Sequence, residues 1–253
     1  MKAPVMPLLG TSRRSNTDYW LLAACGPVLL GAAFVGWQLS WLSGSTAAFC
    51  FLLLAALVAR YSRTRSLRAA DLVTLARGLG VCFLAGFALQ AWTGGLARNG
   101  VLTMIIMGTL CLTLDGVDGR VARARGEATS FGARFDVEID AAMLIVLSVA
   151  VAALGLAGWW VLTIGGMRYG YVAASLLVPA LRIPLPYRYS GKVIAVVQAV
   201  ALLAALAFGL THGAHWVPTA FLLTALALLC WSFSRSVIWQ LRQSSVANRQ
   251  NLI

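Results

Sequence analysis

Residues 193–210 read Val-Ile-Ala-Val-Val-Gln-Ala-Val-Ala-Leu-Leu-Ala-Ala-Leu-Ala-Phe-Gly-Leu, without one Asp, Glu, Lys or Arg. A helix needs about 20 such residues to cross the hydrocarbon layer of a bilayer, roughly 30 Å thick. The same texture recurs along the chain, with apolar runs at about 19–40, 44–60, 72–93, 100–115, 136–157, 159–180 and 216–234. Together these make eight candidate spans, so the expected architecture is all-α: a polytopic transmembrane helical bundle. Composition agrees. Of 253 residues, 60% are hydrophobic and 11% charged, with a mean hydropathy of +0.82. A soluble domain carries roughly a quarter of its residues as Asp, Glu, Lys and Arg. A water-soluble globule, a disordered chain and a disulfide scaffold are all excluded by this arithmetic.

Working outward from the spans, the basic residues fall between the apolar runs rather than on a hydrophilic surface, so the net charge of +12 does not point to nucleic acid. One side of the membrane receives Lys2, Arg13 and Arg14, then Arg60, Arg63, Arg65 and Arg68, then Arg120, Arg123, Arg125 and Arg134. The same side receives Arg182, Arg188 and Lys192, and finally Arg235, Arg242 and Arg249. The other side receives only Arg98. The positive-inside bias then places both termini in the cytoplasm, as expected of a multi-pass protein of a cytoplasmic (inner) membrane. Trp37, Trp41, Trp92, Trp159, Trp160 and Trp216 mark the expected outer ends. Tyr19, Trp20, Tyr61, Tyr187, Tyr189 and Trp239 mark the inner ends. The stretch 60–70 (RYSRTRSLRAA) is too polar to span and reads as a basic helix in the headgroup layer. The five cysteines (25, 50, 82, 111 and 230) stand singly in apolar stretches, which indicates neither a disulfide nor a zinc site.

The chemistry is concentrated in the acids. Of eight Asp and Glu residues, six (Asp115, Asp118, Glu127, Asp136, Glu138 and Asp140) lie within about a tenth of the chain. Asp115 and Asp118 are i, i+3 at the end of the fourth expected span. Asp136 and Asp140 are i, i+4 at the start of the fifth, and Gly132 lies one turn earlier on the same face. Two helices joined by a short loop at 119–131 can bring the four aspartates to one point. Four unpaired carboxylates there would repel one another, and bound divalent cations remove that conflict. All-oxygen ligands favour a hard ion such as Mg²⁺ or Mn²⁺, and a pair of ions suits displacement at phosphorus. Gly119 and Gly132 leave room for close approach to the backbone, Arg123 offers a planar fork for phosphate oxygens, and Thr129 supplies a hydroxyl. Glu127 and Glu138 read as ordinary surface acids.

The stretch Asp115-Gly-Val-Asp118-Gly119-Arg-Val-Ala122-Arg123, followed by Gly132-Ala-Arg-Phe-Asp136-Val-Glu-Ile-Asp140, resembles the motif D-x-x-D-G-x-x-A-R…G-x-x-x-D-x-x-x-D of the CDP-alcohol phosphotransferase family. All eight fixed positions match. The resemblance implies a six-span core, placed at 66–240; the N-terminal tail with two additional spans (1–65) and a cytoplasmic tail (241–253) lie outside it. It also implies transfer of a phosphatidyl group from CDP-diacylglycerol to a small alcohol, with release of CMP, by a homodimer embedded in membrane lipid. By the same likeness two Mg²⁺ or Mn²⁺ ions are held by Asp115, Asp118 and Asp136, with Asp140 beside the second ion and acting as general base. Gly119, Arg123, Thr129 and Gly132 then contact the CDP donor.

A weaker echo is similar to P-N-x-x-T-x-x-R. Here Asp71, Thr74 and Arg77 occupy the last three fixed positions, with Asp71 in place of Asn and the proline absent, and they are further candidates for donor contact. Arg168, inside an apolar span, reads as an anion site, since an intramembrane arginine is expensive. Together with Arg182, Arg188, Ser190 and Lys192 it forms the candidate acceptor pocket, for which glycerol 3-phosphate or an inositol phosphate is the fitting class. A transporter or channel that uses the acids as a cation site is the competing class. It calls for ionisable residues spread through the bilayer rather than gathered at one edge.

Overall fold

The computed structural model describes residues 31, 36, 39–62, 69–125, 130–183, 189–211 and 216–250, and every regular element among them is helical. The helices are α1 (Trp41–Ser62), α2 (Ala69–Trp92), α3 (Arg98–Arg125), α4 (Ser130–Ala153), α5 (Leu162–Leu177), α6 (Tyr189–Gly209) and α7 (Trp216–Gln250). Short 3₁₀ turns at Trp159–Val161 and Pro179–Arg182 flank α5.

Five helices are long and apolar enough to cross a membrane, over Trp41–Val58, Val73–Trp92, Arg98–Gly116, Ser190–Gly209 and Trp216–Ser245. The protein is thus an integral membrane protein built of helices. Those five correspond to the expected second, third, fourth, seventh and eighth spans. The expected first span, 19–40, lies almost entirely outside the described residues, as does most of the basic stretch 60–70.

The remaining two depart from expectation for physical reasons. α4 carries Arg134, Asp136, Glu138 and Asp140 in its first three turns, so its apolar part begins only at Ala141. α5 has 16 residues, about 24 Å of helix, which is short of the hydrocarbon thickness. It stops because Val178, preceding Pro179, is driven out of the helical region to φ −112°, ψ 103°.

Two other boundaries move the opposite way. The loop expected at 119–131 is largely helix, because α3 runs on to Arg125 and α4 starts at Ser130. Val121, Ala122, Arg123, Ala124 and Arg125 are compatible with a helix, and Gly119 costs only about 1 kcal/mol there. Similarly, α7 continues past 234 into the expected tail and reaches Gln250, with no Gly or Pro after Pro218 to stop it.

α2 is the central helix, packed against α1, α3 and α4. α4 also packs on α5 and α6, α6 packs on α3, and α7 closes against α6. The core is aliphatic, with Leu84, Met104, Leu147, Val151, Leu202, Leu206 and Leu222 buried. At one end of the bundle Trp92 and Trp159 meet at 5.0 Å between ring centroids, as two anchors of the same interface should.

α4 ends there on Gly155, whose φ of +68° lets the Leu156 amide donate back to the Val151 carbonyl at 3.1 Å. α5 then presses directly on α4 at Gly165. A Cβ at that position would sit 2.6 Å from the Ile145 amide nitrogen and 2.9 Å from the Leu144 carbonyl carbon. Such close backbone contact is how membrane helices associate when apolar burial alone cannot drive them together. The described cysteines (50, 82, 111 and 230) are all free, as expected.

Candidate active site

The end of the bundle opposite the Trp92–Trp159 pair holds the clustered acidic residues. α3 presents Asp115 and α4 presents Asp136 and Asp140, which share a face because they are one helical turn apart. One carboxylate oxygen from each lies within 4.8 Å of the others. Sequence spacing alone had to assume that two helices would converge, and the pairing of both α3 and α4 with α2 achieves it.

Between the three carboxylates lies Arg77 of α2, whose residue exposure is 1%. Its Nη1 donates to Asp136 Oδ1 and lies 3.2 Å from Asp115 Oδ1. Its Nη2 donates to Asp140 Oδ1, and its Nε donates to the Cys111 carbonyl at 3.1 Å. A buried cation costs several kcal/mol unless it is paired and hydrogen-bonded, and here all three guanidinium nitrogens have acceptors. Asp115, itself buried, also faces the Lys192 ammonium at 3.9 Å. Thr74, one turn before Arg77 on α2, is also buried.

The donor set fits a divalent metal. Three carboxylates converge with oxygen atoms only, the ligand type that hard cations select. The guanidinium already occupies the position of a compensating positive charge among them, so the cluster is organised around a cation.

Other expected site residues are placed as follows. Asp118, Gly119 and Arg123 lie on the last turns of α3, beyond Asp115. Gly132 is in the first turn of α4, and Asp71 is in the first turn of α2. Thr129 and Arg188 lie outside the described residues.

The candidate acceptor residues are dispersed. Arg168 of α5 donates through Nη2 to Glu138 of α4, while its Nε is buried without a partner. Arg182 closes the end of α5, donating to the carbonyls of Ser175 (2.9 Å) and Leu176 (2.8 Å). Ser190 Oγ accepts from Arg235 Nη2 at 3.0 Å. Of this group, Lys192 alone contacts the aspartate trio among the described residues.

Two features were missed at the level of sequence. Arg77 read as a donor contact, yet its guanidinium lies among the acids. A cue existed in its position between Leu75 and Gly78, on a helix whose only other charged residue is Asp71 near its start. The second is a polar brace. Buried Gln240 of α7 donates to the carbonyls of Leu181 (3.1 Å) and Ile183 (2.7 Å) and accepts from the Tyr171 hydroxyl at 2.8 Å. A lone Gln in a long helix gives no sign of such partners.

Aspartates at this spacing, converging from consecutive helices at one end of an all-helical membrane bundle, define a class of protein. The model of the CDP-alcohol phosphatidyltransferase family matches residues 67–234, and the chain belongs to that family. Among individual proteins it is similar to the probable phosphatidylglycerophosphate synthases of two Mycobacterium tuberculosis strains, CDC 1551 / Oshkosh and ATCC 25618 / H37Rv. Identity to each is 32% over 142 residues, covering 55% of this chain and 66% of the relative. The chain therefore spans just under two thirds of the length of these relatives. No solved structure matches it.

Proposed function

We propose that the protein transfers the phosphatidyl group of CDP-diacylglycerol to the hydroxyl of glycerol 3-phosphate and releases CMP. The observation that carries this reading is the convergence of Asp115, Asp136 and Asp140, at the family's spacing, around a position that requires positive charge. Glycerol 3-phosphate is favoured as acceptor by the name of the relatives, phosphatidylglycerophosphate synthase, and by Lys192 and the other basic residues at the same end of the bundle.

In the proposed mechanism Asp140 takes the proton of the attacking hydroxyl. The hydroxyl oxygen forms a bond to the lipid-bearing phosphorus as the bond to the CMP oxygen breaks, and CMP leaves with that electron pair. Arg77 holds Asp136 and Asp140 in a fixed mutual orientation. Lys192 adds positive charge beside Asp115 for an incoming phosphate. Two divalent ions, held by Asp115, Asp118, Asp136 and Asp140, would neutralise the donor's diphosphate. Asp71, Thr74, Arg77, Gly119, Arg123, Thr129 and Gly132 are assigned to the cytidine diphosphate, and Arg168, Arg182, Arg188, Ser190 and Lys192 to the acceptor side. The catalytic core is assigned to 66–240 of a homodimer, with its active site and both termini in the cytoplasm.

The test is CMP release by purified protein with CDP-diacylglycerol, Mg²⁺ or Mn²⁺, and a panel of acceptors that includes glycerol 3-phosphate, inositol phosphate, serine and choline. The expected product, identified by mass spectrometry, is phosphatidylglycerophosphate. Absence of CMP with every acceptor would overturn the reaction class, and product from another acceptor would overturn the choice of glycerol 3-phosphate.

A further inference from the structure

A second charged feature, outside the aspartate cluster, lies on α7. Trp231, Ser234, Arg235, Ile238, Trp239 and Arg242 line a surface recess of about 670 Å³. Arg235 and Arg242 are seven residues apart and so lie two turns apart on one face of the helix. The Arg235 guanidinium stacks 4.9 Å above the Trp231 ring and donates one hydrogen bond, to the neutral Ser190 hydroxyl. A guanidinium carries five N–H donors, so most remain for a ligand. Arg242 has neither an ion pair nor a hydrogen bond among the described residues, and α7 contains no Asp or Glu over its whole length. Two positive charges therefore face one recess with no carboxylate among its described lining residues.

The depth of the recess indicates what neutralises them. Trp216 begins α7 and is 72% exposed, as an interfacial anchor is. At 1.5 Å per residue, about 20 residues of helix cross the hydrocarbon layer, which brings the opposite interface to about Ser236. Trp231, about half exposed, then lies in the acyl region, Arg235 stands at its boundary, and Ile238, Trp239 and Arg242 stand at headgroup level. This is also the end of the bundle that holds the aspartates, since Ser190 and Lys192 share the first turn of α6 and Lys192 contacts Asp115.

We infer that the Arg235–Arg242 recess is a binding site for an intact anionic phospholipid, separate from the aspartate cluster. The phosphodiester sits between the two guanidinium groups at the level of Ile238, and the acyl chains run from there along Trp231. Paired arginines at a membrane interface suit a phosphate that carries net negative charge, whereas a choline headgroup brings its own ammonium and loses most of that attraction.

The test is native mass spectrometry of the full chain released from nanodiscs of phosphatidylcholine containing graded amounts of phosphatidylglycerol, with no nucleotide present. Wild type is expected to retain phosphatidylglycerol in preference to phosphatidylcholine of the same chain length. The double substitution Arg235→Gln/Arg242→Gln is expected to weaken that retention about thirtyfold, on the scale of one interfacial attraction lost per arginine. Arg235→Lys/Arg242→Lys, which keeps both charges, should retain most of it, which guards against loss through misfolding. Asp115→Asn should leave it unchanged, because the site is distinct from the aspartates. Equal retention by wild type and the Gln double variant would overturn the inference, as would equal retention of both lipids by wild type. Loss in Asp115→Asn alone would likewise overturn it.

Discussion

Replacing Arg77 by glutamine removes a buried cation that, alone among the described residues, touches all three clustered aspartates. Taking away one partner of a buried ion pair costs about 3–5 kcal/mol, because the charge left behind has lost its solvent and its counter-ion. The Asp136 and Asp140 side chains are 30% and 34% exposed, so water screens part of the repulsion and the lower end, about 3 kcal/mol, applies. For a chain of this size 1 kcal/mol corresponds to about 2–4 °C in Tm, so Arg77→Gln should melt about 6–12 °C below wild type in metal-free detergent solution. Intrinsic fluorescence of the nine tryptophans reports the transition. Mn²⁺ should then raise the Tm of the variant more than that of wild type, since in the variant no guanidinium supplies the positive charge. At a hundredfold excess over the dissociation constant, binding to the folded state alone contributes about 2.7 kcal/mol, enough to recover most of the deficit. A variant within about 2 °C of wild type in metal chelator, or one that gains no more from Mn²⁺, would refute the view that this cluster is organised around a cation.

Asp140→Asn should lower CMP release by at least about a hundredfold, the scale of a lost general base, while cytidine nucleotide binding measured by calorimetry persists; near-normal turnover would remove the proposed base. Gly165→Ala should cost about 1–3 kcal/mol, since the new methyl group meets the α4 backbone at Ile145 rather than a side chain that can turn aside. Gly166→Ala, in the same helix with nothing within 4 Å of the added carbon, is the control and should not lower the melting temperature, helix propensity adding about 0.4–1 kcal/mol. Gln240→Leu should destabilise by about 2 kcal/mol by taking the side-chain donor from the Ile183 carbonyl and one of two from the Leu181 carbonyl, which also accepts from the Tyr171 hydroxyl at 3.3 Å, and Tyr171→Phe by about half as much. Equal effects of the two would show that the 3₁₀ turn after α5 is not held through Gln240.

How much of this was legible in the sequence depends on whether a feature is local. Long apolar runs such as 193–210 disclose their helices directly, because a bilayer accepts little else. The convergence of Asp115 with Asp136 and Asp140 was also legible, since i, i+4 spacing fixes one face and a short connection limits where the next helix can go. Boundaries were less so. α3 and α7 outrun the hydrocarbon, and hydropathy goes silent where a helix emerges into water, although the chain remains helical. α5 is cut short by the pairing of Val178 with Pro179, a local signal that its apolar composition obscured. Arg77 among the acids and Gln240 among distant carbonyls are tertiary facts. Each depends on which helix lies next to which, and a single sequence does not state that order.

Placing an arginine from within the chain among Asp115, Asp136 and Asp140 also bears on biogenesis. Those acids reach the membrane with a neutralising partner supplied by the same polypeptide, from a helix that is synthesised before them. Insertion and folding then need not wait for a metal to arrive. On the proposed metal-dependent mechanism, a cell starved of divalent ions would accumulate an assembled, idle enzyme rather than a degraded one, and activity could return on resupply without new synthesis.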